Sequence, residues 1–219
     1  MLTLVSLLCS GLVFGSDAGE MLELGETGVV SQNVTPSLYL LDAPGGTDGI
    51  EAAADSTRAH LFQPVGETDV HLGYTKEPYW FRLTLSPADD RGYTLELDNA
   101  QLLSVTLYSP TESGGFNARS VGVTRPFWER PIVSLTPSFP LEMVEGVPAT
   151  FYIRVQHYGA LRFRAIVGDS EAMRERAVTW IAFNILLAGA LLGLAIYHTC
   201  IWVGLRQEVY LWLALLLFS

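Results

Sequence analysis

The segment Arg125–Pro131 groups residue types that often hold a ligand on a loop. It can present Arg125, Trp128 and Arg130 together, and its two prolines are unfavourable in a central strand. The sequence therefore predicts a ligand-binding loop here. The alternative, which the pattern leaves open, is a loop that covers the edge of the fold with its own ion pairs.

His157 and Tyr158 complete the predicted ligand-binding set. They precede Gly159 in a turn between two apolar runs. A lone loop histidine is usually solvated, and a pH-sensing role is the alternative. His60, His71 and His157 are scattered along the chain, so we expect no metal site.

Trp80 allows two interpretations because it lies between Tyr79 and Phe81 on an alternating segment. An exposed Trp80 could be a stacking platform for a sugar ring. Alternation requires some of these aromatic residues to face inward, and core packing is the favoured interpretation.

No catalytic constellation is found in the sequence. It has no Gly-rich phosphate loop, no paired carboxylates and no nucleophile–base arrangement, and Asp89, Asp90 and Asp98 are typical turn residues. We therefore expect no enzyme activity and no cofactor in this chain. Residues 17–112 hold sixteen acidic and four basic residues, which argues against nucleic acid as a partner.

The elements that must position these residues are mostly strands. Short alternating runs end at turn residues, and the predicted strands are Ser37–Leu41, Tyr79–Leu85, Tyr93–Leu97, Ser104–Tyr108, Phe151–Val155 and Leu161–Val167. The last two are expected to pair, and Ser113–Gly115 to form a hairpin turn. Only Ile50–Leu61 is predicted to be helical.

This spacing predicts an all-β jelly roll or β-sandwich rather than a parallel α/β sheet. The only cysteines are Cys9 and Cys200, which lie in two strongly apolar segments. No disulfide is therefore expected in the β domain. A domain of about 150 residues can bury its own core without one.

A transmembrane helix is predicted at 177–205, where no residue is charged. A second apolar run, 209–219, is interpreted as a truncated second span. Gly189 and Gly193 form a GxxxG pair, which predicts close packing on another helix of the same bundle or of a homodimer partner. Asn184 and His198 are expected to face the bundle interior.

The N-terminal residues 1–18 resemble a signal peptide that lacks a basic start, with cleavage expected after Ala18. Lipidation of Cys9 and an uncleaved anchor are the alternatives. Between the signal peptide and the membrane span, the chain is divided into a lead-in with the first strands (19–58), the core of the β domain (59–169) and a connector (170–176). Ser170 is the predicted N-cap of a helix that continues into the membrane.

A family resemblance covers nearly all of residues 60–219. The stretches that carry it are HLFQPVGETDVHLGYTKEPYWFRLTL, YTLELDN, VTLYSP, FPLEM, FYIRVQHYGALRFRAIV and LLAGALLGLAIYHTCIWVGLRQEVYLWLALLLF. They resemble the type 2 extracellular domain, and the first membrane helices, of the seven-transmembrane receptors with diverse intracellular signalling modules. His198 is a departure, because family members tend to have asparagine at this point.

The resemblance implies a bacterial inner-membrane receptor with its β domain in the periplasm. That domain would be similar to carbohydrate-binding modules and would bind a carbohydrate or another small ligand. It would pass the signal through the bilayer to a cytoplasmic output module. The alternative is an envelope module that binds a partner protein and no small ligand.

Overall fold

A computed structural model describes residues 21–25, 31–41, 49–111, 113–207 and positions 209, 212, 213 and 216. The predicted signal segment, 1–18, lies outside the described residues. So does most of the predicted second span.

Strands are the commonest regular structure among the described residues. The strands are β1 (Leu22–Leu24), β2 (Ser31–Asn33), β3 (Tyr39–Leu41), β4 (Phe62–Pro64), β5 (Val70–Thr75), β6 (Tyr79–Pro87), β7 (Tyr93–Leu97), β8 (Ser104–Pro110), β9 (Phe116–Val121), β10 (Ser138–Leu141), β11 (Ala149–Gln156), β12 (Gly159–Phe163) and β13 (Ala165–Asp169). The α-helices with described bounds are α1 (Ile50–Ala53) and α2 (Ser170–Leu205), and short 3-10 helices span Thr35–Ser37, Ser56–Leu61 and Phe127–Glu129.

The strands form a sandwich of two sheets. The large sheet has the order β4-β3-β6-β11-β8-β9, with β1 parallel to one end of β6. The small sheet has the order β10-β7-β13-β2, and β12 and β5 form a separate pair. The predicted all-β sandwich is confirmed.

The core lies between the sheets and follows from side-chain alternation. On β6, Phe81, Leu83 and Leu85 point inward and are fully buried. Tyr93, Leu95 and Leu97 of β7 face them from the small sheet, as their alternation predicted. At about 25 cal/mol per Å² of apolar surface, this burial is the main stabilising contribution to the fold.

A second apolar cluster covers part of the outer face of the large sheet. Trp80 is buried there and stacks on Tyr108 with ring centroids 5.4 Å apart. Residues 50–61 pack over this cluster through Ile50 and Leu61. The core position predicted for Trp80 is therefore confirmed. The helix predicted for Ile50–Leu61 is only partly right, because α1 ends at Ala53 and a 3-10 helix follows.

The pairing predicted for the last two strands is wrong. Strand β11 pairs with β6 and β8, whereas the segment after it divides into β12, which pairs with β5, and β13, which pairs with β7 and β2. The chain changes sheets at Arg164, whose Nε donates to Asp69 at 2.7 Å. Since Leu161, Phe163, Ala165 and Val167 are all buried, the alternation gave no sign of this change.

Helix α2 follows β13 without a linker. Asp169 ends the strand and caps the helix, because its carboxylate accepts from the backbone N–H groups of Glu171 and Ala172 at 3.0 Å. The predicted N-cap, Ser170, is the first helical residue instead. The helix has 36 residues and, by length and composition, is long and apolar enough to cross a membrane.

Candidate functional site

A groove of about 1100 Å³ lies on the outer face of the large sheet, at the end of the sandwich from which α2 leaves. We call this end the helix end and the opposite one the far end. Residues of β6, β9 and β11 line the groove together with the last residues of β8 and β10, the adjoining loops and Ala54. The lining residues used below are Arg82, Thr84, Thr150, Tyr152, Phe116 and Asn117 from the sheet, and 90–92 from the loop before β7.

Strand register brings the floor of the groove together. Arg82 lies opposite Tyr152, and Thr84 lies opposite Thr150. The hydroxyls of the two threonines are 3.1 Å apart. Because side chains alternate along a strand, the same register that buries Phe81 in the core turns these four residues outward.

Aromatic rings surround Tyr152. Its ring meets Phe116 at 5.5 Å and Phe62 at 6.1 Å, both edge to face. Burial raises the pKa of the Tyr152 phenol, and the positive charge of Arg82 acts in the opposite direction. The phenol therefore stays protonated at neutral pH, and its O–H remains available as a donor.

The loop before β7 forms one wall and is held by Asp89. This carboxylate accepts from Arg91 Nε at 2.7 Å and from the Tyr93 hydroxyl at 2.8 Å. The hydrogen bond from Arg91 is the largest influence that lowers the pKa of Asp89, to about 2. The bond from Tyr93 acts in the same direction, so the carboxylate is charged throughout the physiological pH range.

The same wall is joined to the start of α2. The Ser170 N–H donates to the Gly92 carbonyl at 2.9 Å, and the Thr94 and Ser170 hydroxyls are 2.8 Å apart. Asp169 also pairs with Tyr93 in the small sheet. The loop at residues 90–92 and the first residue of the helix are therefore in direct contact.

The predicted ligand-binding loop lies at the far end of the sandwich. Arg130 is occupied within the loop: its guanidinium donates to the Ser134 carbonyl at 2.7 Å and lies 4.8 Å from the Phe127 ring centroid. These contacts lie within the loop, but they are not the ion pairs of the alternative interpretation. Arg125 is exposed, and Trp128 is 84% exposed, so their role as ligand contacts stays a prediction.

His157 and Tyr158 also lie at the far end, directly after β11. Tyr158 is 64% exposed, and His157 Nδ1 is buried with no hydrogen-bond partner in the described part of the chain. None of the five predicted residues lines the groove. No cluster of three or more metal-ligating side chains occurs among the residues that the structure describes.

The groove residues were missed because each has an ordinary sequence context. Arg82 lies inside the strand YWFRLTL, and Tyr152 lies 70 positions further along the chain. One usable signal was present: alternation places Arg82 on the same face as Trp80 and Thr84, opposite Phe81. A charged residue in a buried strand identifies a face that is not simply core.

The GxxxG pair lies on exposed helix surface. A Cβ atom built on Gly189 or Gly193 would meet nothing within 4 Å. Helix packing at these glycines, within a bundle or in a homodimer, therefore stays a prediction.

The comparisons with known proteins give one family and several partial structural matches. The family model described as 7TMR-DISM extracellular 2 matches residues 35–167. No curated protein matches the chain. The solved structures with similarity include TmCBM61 in complex with β-1,4-galactotriose (17% identity, TM-score 0.27), which matches over 46% of this chain and 65% of that one.

Two further structures are similar over comparable lengths. The enzymatically active domain of tailspike protein 4 from bacteriophage CBA120 has 14% identity and a TM-score of 0.26, over 46% of this chain and 15% of that one. A family 6 carbohydrate-binding module has 12% identity and a TM-score of 0.24, over 48% of this chain and 84% of that one.

Proposed function

The chain belongs to the 7TMR-DISM extracellular 2 family, and we propose that it is the ligand-sensing part of a bacterial membrane receptor. The β-sandwich binds a small ligand, and α2 carries the signal into the bilayer. The sandwich lies in the periplasm, and α2 spans the inner membrane. The chain itself has no catalytic role.

One observation carries this proposal: a wall of the groove and the first turn of α2 share hydrogen bonds. Arg91 and Gly92 line the groove, and Gly92 accepts from the Ser170 N–H. No flexible residue separates β13 from α2. A Gly/Ser linker would absorb a displacement, whereas a continuous helix transmits tilt or rotation along its length.

The volume and lining of the groove also support a small ligand. Small-molecule sites typically occupy about 300–1,000 Å³ and combine aromatic walls with a few polar groups. Phe116 and Tyr152 supply the aromatic surface, and Thr84, Thr150 and Asn117 supply hydroxyl and amide groups. Carbohydrates and sugar acids are the first compounds to screen.

The test uses the full chain in lipid nanodiscs. A panel of neutral sugars, sugar acids and organic acids is screened for compounds that raise the melting temperature, since binding to the native state alone stabilises it. For each such compound, hydrogen exchange is followed at residues 90–92 and 170–172. We expect slower exchange at both segments.

A groove-filling variant and a matched control make the result specific. Thr84→Trp should abolish the shift in melting temperature and the added protection, because the indole occupies the groove. Ala160→Trp places the same side chain at an exposed position of β12 and should change neither. The proposal fails if no compound acts or if Thr84→Trp responds like the parent.

The alternative function, a protein-interaction module, is favoured by a different surface. The loop between β9 and β10, which we call the far-end loop, exposes Phe127, Trp128, Val133 and Leu135. If this surface is the functional one, Trp128→Ala should abolish signalling while Thr84→Trp leaves it intact. If the groove is the functional site, Thr84→Trp should abolish signalling and Trp128→Ala should leave it intact.

A further inference from the structure

The most unusual side chain in the groove is Arg82. It is 8% exposed, so more than nine tenths of its surface is buried. Its guanidinium lies 4.7 Å from the Phe62 ring centroid and 5.2 Å from that of Tyr39. Its Nε is buried with no hydrogen-bond partner, and within the described part of the chain no ion pair involves Arg82.

The other charged side chains of the groove form ion pairs or are exposed to solvent. Arg91 pairs with Asp89 at 2.6 Å, and Glu142 pairs with Arg119. Asp90 is exposed to solvent. Among the described groove residues, Arg82 is therefore the buried charge that lacks a counter-ion. Cation–π contacts offset only part of the cost of removing a guanidinium from water.

The surrounding sheet face is positive although the chain has a net charge of −10. Across β6, β11, β8 and β9, the described outward positions include Arg82 and Arg154 and no acidic residue. Register makes the two arginines diagonal neighbours, since Arg154 lies opposite Trp80 and Tyr152 opposite Arg82. The groove lining as a whole has no net formal charge, since Asp90 and Glu142 offset Arg82 and Arg91, and the attraction for an anion comes from the unpaired Arg82 itself.

We propose that the groove binds a sugar acid whose carboxylate pairs with Arg82. This inference rests on the proposed function and identifies the chemical class of its ligand. A carboxylate matches the planar fork of a guanidinium and would supply the missing counter-ion. The rings of Tyr152 and Phe116 offer apolar surface to a pyranose, and Thr84, Thr150 and Asn117 offer partners for its hydroxyls.

The test measures shifts in melting temperature and calorimetric binding with the full chain in nanodiscs. The probes are glucuronate and galacturonate, with glucose and galactose as neutral counterparts. Phosphate and citrate are the anions without a sugar ring. We expect one or both uronates to bind and their neutral counterparts not to bind, with affinity falling as salt concentration rises.

Two arginine variants locate the charge. Arg82→Met should abolish uronate binding and raise the melting temperature of the free protein, because it removes an unpaired buried charge while retaining an unbranched apolar side chain. Arg162→Met makes the same change on an exposed part of β12 and should leave uronate binding intact. If Arg82 were only a structural anchor, Arg82→Met would lower the melting temperature.

A second pair of variants keeps the test independent of the folding of Arg82→Met. Thr150→Glu places a carboxylate on the groove floor diagonal to Arg82, where it should compete with the ligand and reduce uronate affinity at least tenfold. Thr150→Gln has nearly the same shape without the charge and should retain most of the affinity.

The outcomes separate this inference from the proposed function. Equal binding of uronate and neutral sugar, or uronate binding that survives Thr150→Glu, overturns the sugar-acid assignment but leaves a ligand-sensing groove. Binding of phosphate or citrate alone assigns the groove to anions without a sugar ring and also overturns it. Uronate binding that is lost in Arg125→Gln would move the site to the far-end loop. No binding of either uronate overturns the assignment directly.

Discussion

At the scale of single residues, neighbours on one strand face opposite sides of the sheet. Phe81 is fully buried and meets Phe163 edge to face at 5.3 Å, whereas Arg82 faces the groove. Trp128 lies on the far-end loop with most of its surface exposed. Residue type alone therefore does not predict whether an aromatic side chain is buried; its position in the tertiary structure does.

Phe81→Ala should lower the free energy of unfolding by about 3–5 kcal/mol, because it leaves a cavity between the two sheets. Trp128→Ala should change it by less than about 0.5 kcal/mol, since an exposed side chain makes few contacts. Urea denaturation monitored by circular dichroism measures both. A larger loss for Trp128→Ala would mean that the far-end loop is an integral part of the core.

Asp89 predicts a dependence of stability on acidic pH. Its pKa is about 2 in the folded chain and 3.8 in the reference state, and the hydrogen bond from Arg91 is the main cause. A depressed carboxyl pKa stabilises the fold above pH 3.8, and this contribution is lost as pH falls towards 2.

The measurement is the difference in melting temperature between the parent and Asp89→Asn from pH 6 down to pH 2. We expect the parent to be more stable above pH 4 and the difference to shrink towards pH 2. Asp90→Asn makes the same change of charge in the same loop without removing the bonds to Arg91 and Tyr93. A difference for Asp89→Asn that does not vary with pH would contradict the assignment of this carboxylate as the anchor of the loop.

At the scale of elements, the important feature is the direct continuation of β13 into α2. The cap by Asp169 and the bond from Ser170 to Gly92 fix the direction in which the helix leaves the sandwich. The first turns carry Glu171 and Arg174, which form an ion pair on the helix surface. The helix thus begins outside its apolar segment, at the groove wall.

Continuity of α2 should be required for transmission. Seven Gly/Ser residues inserted after Arg174 keep the cap and the Gly92 contact but interrupt the helix. Seven alanines at the same site preserve helicity and turn the helix by about 700°, which leaves its faces nearly in register. Ligand binding should survive in both variants.

A nitroxide at Val178→Cys, with Cys9 and Cys200 replaced by alanine, reports on the helix in nanodiscs. A ligand that binds in the groove should change its electron paramagnetic resonance spectrum in the parent and in the alanine variant, but not in the Gly/Ser variant. If the Gly/Ser variant responds like the parent, the sandwich must act on the membrane domain by another contact.

At the scale of the whole molecule, the described residues form a β-sandwich from one end of which the apolar helix α2 leaves. The described part of α2 is largely exposed, as expected of a surface that meets lipid or other helices. The groove opens at the end of the sandwich that the proposed topology places next to the membrane. A ligand in this groove would therefore act close to the bilayer.

The proposed topology places residues 19–176 in the periplasm and 206–208 in the cytoplasm. Alkaline phosphatase is active only after export, so a fusion after Arg176 should be active and a fusion after Gln207 inactive. Local charge opposes this orientation weakly, because Arg174 and Arg176 lie outside and Arg206 inside. Export of the whole β domain by the N-terminal segment should override that bias. An inactive fusion after Arg176 would reverse the orientation.

Several features of this protein could be predicted from its sequence by itself. Alternation identified the strands Tyr93–Leu97 and Tyr79–Leu85, the second of which continues to Pro87 in the structure, because one face of each meets the core and the period of two is local. The apolar run at 177–205 indicated the long helix, since hydropathy over about 20 residues is also local. The family followed from the order of such local segments.

The groove was decided only by the tertiary structure. Arg82, Phe116 and Tyr152 become neighbours because β11 lies between β6 and β8, and β8 pairs with β9. Strand order depends on long-range pairing, which short strands with similar alternation do not specify one by one. The same reason explains why the pairing predicted for the strand Leu161–Val167 is wrong: its side chains alternate without a break, although its two halves belong to different sheets. Local chemistry therefore determined the elements, and the choice of strand partners determined the site.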